Sequence, residues 1–471
     1  MAAVILHHDP SACRALESEL PALTAQPALE QHDLPQVLIR WGSERDGELD
    51  AKVSVVLNKA AALRNIPQAR DMWAKGSVPV ATAKSTWYRR YRYSLFDLQV
   101  VRVLRREIGQ SAALEVSSQG SKEARDGSVL ATRALHTLRL DFGVVEVGVD
   151  SRGQLKVLGI DAAPRVTTRL VEAYAEHIRQ RIREAELRQT LPIFQKANPN
   201  YLDKVVSVGA DPEFMLRDCR TRRLVMASRF FPREGAVGCD ARFVRGPVSG
   251  YPLAEIRPAP SYSPLQVVDN IRMVMRKALR LAPFSNIEWR AGSMPFDQFP
   301  VGGHIHFKGV LLSGQLLRAL DNYLAVPLLL IEEPTSARRR REKYGFLGDF
   351  RLKPHGGFEY RTPASWLVSP EVSRAALCLA KVIASEYHVL ARDVFLRAEA
   401  QQAFVTANRE YFMPHFAALW SDLAATPTFG LYEQGMKVLE EMIQKQETWV
   451  EKIDIRKTWG LQIPRARIYR G

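Results

Sequence analysis

Four short stretches of this 471-residue chain set chemically active side chains two positions apart. Asp211 and Glu213 lie in "VGADPEFML", Glu255 and Arg257 in "PLAEIRPAP", His304 and His306 in "GGHIHFKG", and Glu359 and Arg361 in "GGFEYRTP". On a β-strand, side chains at i and i+2 point to the same face. Each stretch reads as a strand flanked by Gly or Pro. Any one pair alone fits the outer face of an antiparallel sheet, where polar and apolar residues alternate. Together the four mix acids, imidazoles and arginines, without the Thr, Lys and Ser that usually fill a solvated face. One shared site accounts for them better.

Carboxylates on neighbouring strands repel each other unless cations neutralise them. Hard oxygen ligands suit Mg²⁺ or Mn²⁺, and an added imidazole keeps both in play. More than three carboxylates points to two or more ions. That arrangement serves phosphate chemistry, with metals clamping phosphoryl oxygens and arginines absorbing charge. The run "SARRRREKYG" places Arg338, Arg339, Arg340 and Arg341 between the histidine strand and the Glu359 strand. On charge alone it reads as a solvated basic loop or a nucleic-acid patch. Beside a metal–carboxylate site it reads as an arm reaching ATP phosphates.

The elements that must position these residues are legible in outline. Residues 166–200 read as a helix followed by a linker in "KANPNYLDK", with a boundary near residue 195. This divides the chain into 1–195 and 196–471. In the first half, "QVLIRWG" is a strand, and "KVSVVLNKAAALRNIPQARDMW" runs from strand into helix. "SLFDLQVVRVLRREIG" reads as an amphipathic helix, and "DFGVVEVGVDSRGQLKVLGID" as a hairpin turning at Ser151-Arg152-Gly153. In the second half, "PLQVVDNIRMVMRKALRLA" is a helix, "GQLLRALDNYLAVPLLLIEE" is a long helix with a kink expected at Pro327, and the last hundred residues are mainly helical. The expected class is α+β, with helices on one face of a sheet.

Hydrophobic content of 46% and charged content of 25% describe a globular chain with ample core. The apolar run near the start is too short for a signal peptide, and no uncharged apolar stretch is long enough to span a membrane. Four scattered cysteines form no CxxC pair, which fits free thiols in a reducing compartment. A cytoplasmic protein is expected. The formal net charge of +15 favours anionic partners without choosing among nucleotides, nucleic acid and acidic polymers.

The motifs "GADPEF", "AEIRP", "GGHIHF", "RRREKYG" and "GFEYRTPASWL" resemble, in order, those of phage-type COOH–NH2 ligases, the amidoligases of type 2. These are relatives of glutamine synthetase and glutamate–cysteine ligase. The resemblance implies a curved antiparallel sheet packed with helices, a glutamine synthetase-like partial barrel with the site on its concave face. It implies metal binding by Asp211, Glu213, Glu255 and Glu359, with one of His304 and His306 a ligand and the other a substrate or nucleotide contact. It implies catalytic contacts from Arg361, Arg339 and Arg341, and nucleotide contacts from Arg338, Arg340 and Arg257. Asp240, in "VGCDA", matches a further acid. Asp211 departs from the superfamily, which often carries Glu at that position. The implied activity is an ATP-dependent ligase that joins a carboxylate to an amine through an acyl phosphate. Its substrates would be amino acids, peptides or proteins, and its cofactors ATP with Mg²⁺ or Mn²⁺.

The N-terminal half is similar to a different family. "RALHTLRLDFGVVEVGVDSRGQLKVLGIDAAP" resembles the last strands of an ATP-grasp ligase, preceded by an α/β entry segment in "VLNKAAALRNIPQARDMW". Glu146 matches the first acid of that pattern. Gly159 stands where the family carries glutamate, and Asp161 where it carries asparagine. With a short lid and a missing carboxylate, this half is expected to be a degenerate ATP-grasp-like domain that binds or scaffolds. Competing readings are a guanidino-kinase-type phosphotransferase, a non-enzymatic nucleic-acid-binding protein and a metal hydrolase using HxH. A kinase releases a phosphorylated product and no amide. A nucleic-acid binder leaves the acid and histidine pairs without a purpose.

Overall fold

In a computed structural model, the described residues are 3–470 apart from 22, 30–33, 84, 198–203, 247–248, 297, 355 and 465–466, with only the backbone of 189–197. The chain forms two compact units. One comprises Met1–Pro199 with the short segments Ser313–Gln315 and Val394–Gln402; the other comprises Asn200–Leu312, Leu316–Asp393 and Ala403–Gly471. The linker expected in "KANPNYLDK" falls largely outside the described residues. Among the described residues, no helix is long and apolar enough to cross a membrane.

The first unit carries two sheets. Strands β1 to β4 (Ala3–Leu6, Thr24–Gln26, Val37–Arg40, Val55–Leu57) form a parallel sheet in the order β2-β1-β3-β4. Strands β5 to β9 (Arg89–Phe96, Gln99–Glu107, Leu114–Glu115, Phe142–Val149, Leu155–Asp161) form an antiparallel sheet in the order β7-β6-β5-β8-β9. The expected hairpin at Ser151-Arg152-Gly153 is the β8–β9 pair.

The amphipathic helix expected in "SLFDLQVVRVLRREIG" is instead the turn and return strand of the β5–β6 hairpin. The chain reverses at Asp97 and Leu98, both left-handed with φ of 50° and 70°, as a tight hairpin turn requires. The valines that follow favour a strand over a helix. Tyr91, Tyr93, Leu95 and Val103 point to one face and join a core with helix Lys122–Thr137, while Arg90, Arg92 and Arg106 point to the other.

Among its described residues, the second unit holds nine further strands. They are β10 (Ser207–Ala210), β11 (Glu213–Asp218), β12 (Leu224–Val225), β13 (Val237–Cys239), β14 (Leu253–Ile256), β15 (Ile287–Arg290), β16 (Ile305–Lys308), β17 (Phe350–Leu352) and β18 (Phe358–Tyr360). One sheet runs β10-β16-β18-β17; the other runs β12-β11-β14-β13, with β15 also on β11. "VGADPEFML" is thus two strands, not one, broken at Asp211-Pro212. Pro212 has no N–H to donate, but the ladder holds on both sides of it. Asp211 N donates to His304 O at 3.3 Å, and Glu213 N donates to Gly302 O at 2.9 Å. The two sheets are therefore halves of one curled surface that turns a corner at Pro212. Helices Pro264–Leu281 and Pro370–Glu386 pack on β10 and on each other.

The long helix expected around Pro327 is interrupted just before that proline. Gly314–Leu320 is α-helical, Asp321–Ala325 is a π-helical turn, and Val326–Ile331 resumes the α-helix. Asp321 Oδ1 accepts from Gly348 N and from Tyr360 Oη, both at 2.8 Å, and so anchors β18 beside the site.

The β17–β18 hairpin turns at Gly356 and Gly357, which have φ of 87° and 78°. A Cβ on Gly357 would lie 2.2 Å from Phe307 O, whereas one on Gly356 meets nothing within 4 Å. Gly356→Ala is expected to lose about 1 kcal/mol from backbone strain alone. Gly357→Ala adds a clash with the neighbouring strand and should lose roughly 2–3 kcal/mol. Urea unfolding of the two variants checks the difference.

Candidate active site

Two rungs of cross-strand neighbours build the site. In the first sheet, Gly209, His306, Glu359 and Arg351 lie side by side across β10, β16, β18 and β17. In the second, Gly238, Glu255 and Glu213 lie side by side across β13, β14 and β11. Gly238 makes room for a neighbour: a Cβ there would sit 2.2 Å from Arg257 Nη1. Asp211, at the corner, joins the two rungs. Around them is an open cavity of about 420 Å³ whose lining includes Asp211, Glu255, His304, His306 and Arg361. Arg257 and half-buried Asp240 also line it.

Asp211, Glu213, Glu255, His304 and Glu359 are all buried. His304 sits between two acids, with Nδ1 3.2 Å from Asp211 Oδ1 and 3.3 Å from Glu359 Oε1; its Nε2 is 3.0 Å from Tyr344 Oη. Burial opposes its charged form, but the hydrogen bond to Asp211 and the surrounding carboxylates push its pKa up to about 9. Asp211 is likewise buried, yet the two histidines hold it well below the usual carboxylate range. Glu359 is also low despite its burial and the charge of Asp211, because His304, Lys353 and Arg351 surround it. Arg351 Nη2 lies 2.8 Å from Glu359 Oε2, Arg361 Nε lies 3.2 Å from Oε1, and Lys353 Nζ contacts Oε2. Glu213 and Glu255 behave in the opposite way. Burial, then the charge of Asp240, raises Glu213 to about 7, where its Oε2 accepts from Gly302 N at 2.7 Å. Burial, then the charge of Asp211, raises Glu255 to about 8 despite an ion pair with Arg257 at 2.6 Å. Two acids therefore lack the positive charge that would keep them ionised.

These residues fit a divalent cation. Asp211, His306 and Glu359 each offer a ligand atom, and the three atoms lie within 4.8 Å of one another. His306 Nε2 lies 3.0 Å from Asp211 Oδ2 and 4.0 Å from Glu359 Oε2, close enough for the three side chains to reach one ion. Two carboxylates and an imidazole are a donor set for Mg²⁺ or Mn²⁺. Geometry also separates the two histidines. His306 faces Asp211 and Glu359 through Nε2 alone and belongs to this donor set, while both ring nitrogens of His304 are engaged, Nδ1 by Asp211 and Glu359 and Nε2 by Tyr344.

The arginine run is not the expected arm, and none of its four members lines the cavity. Arg340 is fully buried and donates to three backbone carbonyls: Val301 O at 2.9 Å, Thr362 O at 2.9 Å and Pro363 O at 2.7 Å. Arg341 makes a two-pronged pair with Glu332 at 2.7 and 2.9 Å and lies over the Phe404 ring. Arg338 is exposed and Arg339 half-buried. The physical reason is helical. The run forms helix Pro334–Arg341, and four consecutive residues at 3.6 per turn splay around the axis.

The cations that do line the cavity include Arg351, Lys353 and Arg233, which motif reading missed. Arg351 and Lys353 obey the same two-residue spacing in "DFRLKPHGGFEYR", and the Gly-Gly turn pairs them with Glu359. Arg233 carries no comparable signal. Tyr344 lies inside the motif "RRREKYG" and supports both His304 and, 5.2 Å from its ring centre, the guanidinium of Arg361.

Residues 208–461 match the model of the phage phiEco32-like COOH.NH2 ligase-type 2 family, more than half of the chain. The chain belongs to this family. It is an enzyme, an ATP-dependent ligase that forms an amide bond between a carboxylate and an amine. No curated protein matches its sequence. Solved structures resemble the ligase only faintly. The ATP-grasp ligase PsnB, complexed with precursor peptide PsnA2 and AMPPNP, is 14% identical at a TM-score of 0.26, covering 35% of this chain and 89% of PsnB. The macrocyclase MdnB from Microcystis aeruginosa MRC is 11% identical at 0.25, covering 36% and 92%. A bifunctional glutathione synthetase from Pasteurella multocida is 11% identical at 0.36, covering 57% of this chain and 53% of its own. At these scores no fold assignment follows from them.

Two outcomes test the site. Asp211→Asn and Glu359→Gln should each weaken Mn²⁺ binding at least tenfold in titrations read by electron paramagnetic resonance, while Lys353→Met, which removes a competing charge, should strengthen it. Arg340→Leu strands three buried carbonyls and should cost roughly 3 kcal/mol or more in urea unfolding, with Mn²⁺ affinity unchanged in the folded protein.

Proposed function

We propose that the cavity around Asp211 activates a carboxylate with ATP and passes it to an amine. The observation that carries this reading is the donor set of Asp211, His306 and Glu359 beneath a cavity edged by Arg233, Arg257, Arg351, Lys353 and Arg361. Asp211, His306 and Glu359 would hold Mg²⁺ or Mn²⁺, with Glu213 and Glu255 available to a second ion. The ions supply charge neutralisation on the phosphoryl oxygens.

A carboxylate is a poor acylating agent because its leaving group is oxide. Its oxygen attacks the γ-phosphorus of ATP, the bond to the β-phosphate oxygen breaks, and ADP leaves. The amine then attacks the carbonyl carbon of the acyl phosphate, phosphate departs, and the amine loses a proton. Arg361 and Arg351 absorb charge on the transferring group, with forks suited to phosphate oxygens. Tyr344 and Glu359 hold Arg361 in place. His304, pinned between Asp211 and Glu359, fixes the orientation of both acids.

Amino acids or peptides are the proposed substrates, in line with the precursor peptide bound to PsnB. The free thiols Cys13, Cys219, Cys239 and Cys378 fit a cytoplasmic setting. The first unit is proposed to be a degenerate ATP-grasp-like domain. Glu146 faces Gly159 across β8 and β9, and Asp161 faces Val144, so the carboxylate pattern of that resemblance is incomplete.

The test is ADP release coupled to amide formation. Release should need Mg²⁺ or Mn²⁺, a carboxylate and an amine together, and mass spectrometry should find an amide and no stable phosphorylated product. Arg361→Ala should lower kcat and kcat/KM together with little change in KM for ATP, and Arg361→Lys should recover only part of the rate. Undiminished turnover in Glu359→Gln would sink the assignment.

A further inference from the structure

The segment that joins β13 to β14 stands beside the cavity around Asp211. It leaves β13 at Asp240 and rejoins β14 at Leu253, where Asp240 N donates to Leu253 O at 3.1 Å. Farther out, Val244 and Gly250 form an antiparallel bridge, with hydrogen bonds of 2.9 and 3.0 Å in the two directions. Residues 241–251 are therefore a short two-legged arm, of which 247–248 lie outside the described residues. The returning leg is fixed at its base. Tyr251 N donates to Ser228 Oγ at 3.1 Å, and Ser228 N donates to Tyr251 O at 3.2 Å.

Alternation sorts the side chains of the arm. Val244 packs against the core cluster of Met215, Leu253, Phe299 and Val301. Phe243, next to it, turns the other way and is 50% exposed. Its cross-strand neighbour is Tyr251, with ring centres 5.1 Å apart and planes at 71°. The Arg233 guanidinium lies over the Tyr251 ring, 4.3 Å from its centre. Arg233 Nη1 also donates to Cys239 O at 2.8 Å and to Asp240 O. Arg233, Asp240 and Ala241 all line the cavity, so the aromatic pair continues the cavity wall outward beyond Arg233. A single exposed phenylalanine is ordinary on a protein surface. This one is held by a hydrogen-bonded arm on the rim of the ligase cavity.

The two ends of the cavity also differ in charge. Arg351, Lys353 and Arg361 crowd the end built by the β17–β18 hairpin, where phosphate oxygens fit. At the arm, Arg257 is paired with Glu255 at 2.6 Å, and Arg233 is spent on two carbonyls and Tyr251. Half-buried Asp240 accepts from Arg242 N at 3.3 Å and, among the described residues, forms no ion pair. It is free to meet a positive group.

We propose that Phe243 and Tyr251 select the amine substrate of the ligase, favouring an amine that carries an aromatic or large aliphatic side chain. This rests on the ligase reading above. Asp240 receives the ammonium form of the amine, and the side chain lies on Phe243 against Tyr251. The nitrogen then faces the acyl phosphate from the end opposite the phosphate-binding cations. The preference comes from apolar area removed from water on the aromatic pair.

The experiment uses the full chain with Mg²⁺ and AMPPNP. It reads the binding of phenylalaninamide, leucinamide and glycinamide by saturation-transfer NMR, so that no turnover is needed. The two larger amides should bind roughly tenfold tighter than glycinamide. Phe243→Ser should bring all three within about twofold, and Phe243→Tyr should keep the preference. Asp240→Asn should weaken all three together. Phe243→Ser should melt with the wild type, because the side chain it removes is half exposed. In ADP release the preference should appear in KM for the amine and little in kcat. Three results would each overturn the proposal: equal affinity for the three amides in the wild type, a preference that survives Phe243→Ser, or a loss of AMPPNP affinity in place of amide affinity in that variant. The last would make the pair a platform for the nucleobase. All three leave the ligase reading standing, since that reading fails on undiminished turnover in Glu359→Gln.

Discussion

Four carboxyls buried around one cavity are the constraint on which the rest of the second unit depends. Asp211, Glu213, Glu255 and Glu359 are each no more than 8% exposed. Burying an ionised carboxylate without a partner is prohibitive, so each must be neutralised by a cation or keep its proton. The structure does both. Asp211 and Glu359 are held ionised by His304, His306, Arg351, Lys353 and Arg361. Glu213 and Glu255, with fewer cations near them, are pushed to about 7 and about 8. In the proposed function, a divalent metal would enter this site in exchange for protons and for the reach of Lys353.

The backbone that crowds these acids is simple. Pro212 turns one sheet into the other, and hydrogen bonds from Asp211 N and Glu213 N carry the ladder past it. Glycine stands at the end of each rung, at Gly209 and Gly238, and at Gly238 it vacates space for a charged neighbour. Buried arginine serves the framework. Arg340 ties Val301 to Thr362 and Pro363, and so fastens the segment before His304 to the one after Arg361. The first unit uses the same grammar with the opposite sign. Its antiparallel sheet also has a core face and a charged face, but there the crowded charges are guanidinium.

Two-residue spacing was the most informative signal in the chain, because strand geometry turns it directly into a shared face. It located every acid of the cavity rungs, both histidines, Arg257 and Arg361. Applied to "DFRLKP" it also yields Arg351 and Lys353. Consecutive charges misled for the complementary reason: the Arg338–Arg341 run is helical, and a helix sends neighbours in different directions. "SLFDLQVVRVLRREIG" misled because its apolar spacing fits a helix locally, while the left-handed turn at Asp97 and Leu98 and the alternation of "RRYRYS" before it make a hairpin.

What the amino-acid order determined by itself was the family, the residue types of the site and the face each would share, since these follow from motifs and local periodicity. It did not distinguish the two histidines. Their difference comes from Asp211, at the corner after β10, and Glu359, on β18, closing around His304, with His306 left among the three residues proposed to hold the metal. Nor did it determine which arginines reach the cavity and which are consumed inside the fold. That is decided by burial against carbonyls and acids far along the chain, such as Arg340 against Thr362, a relation that exists only once the sheet has curled at Pro212.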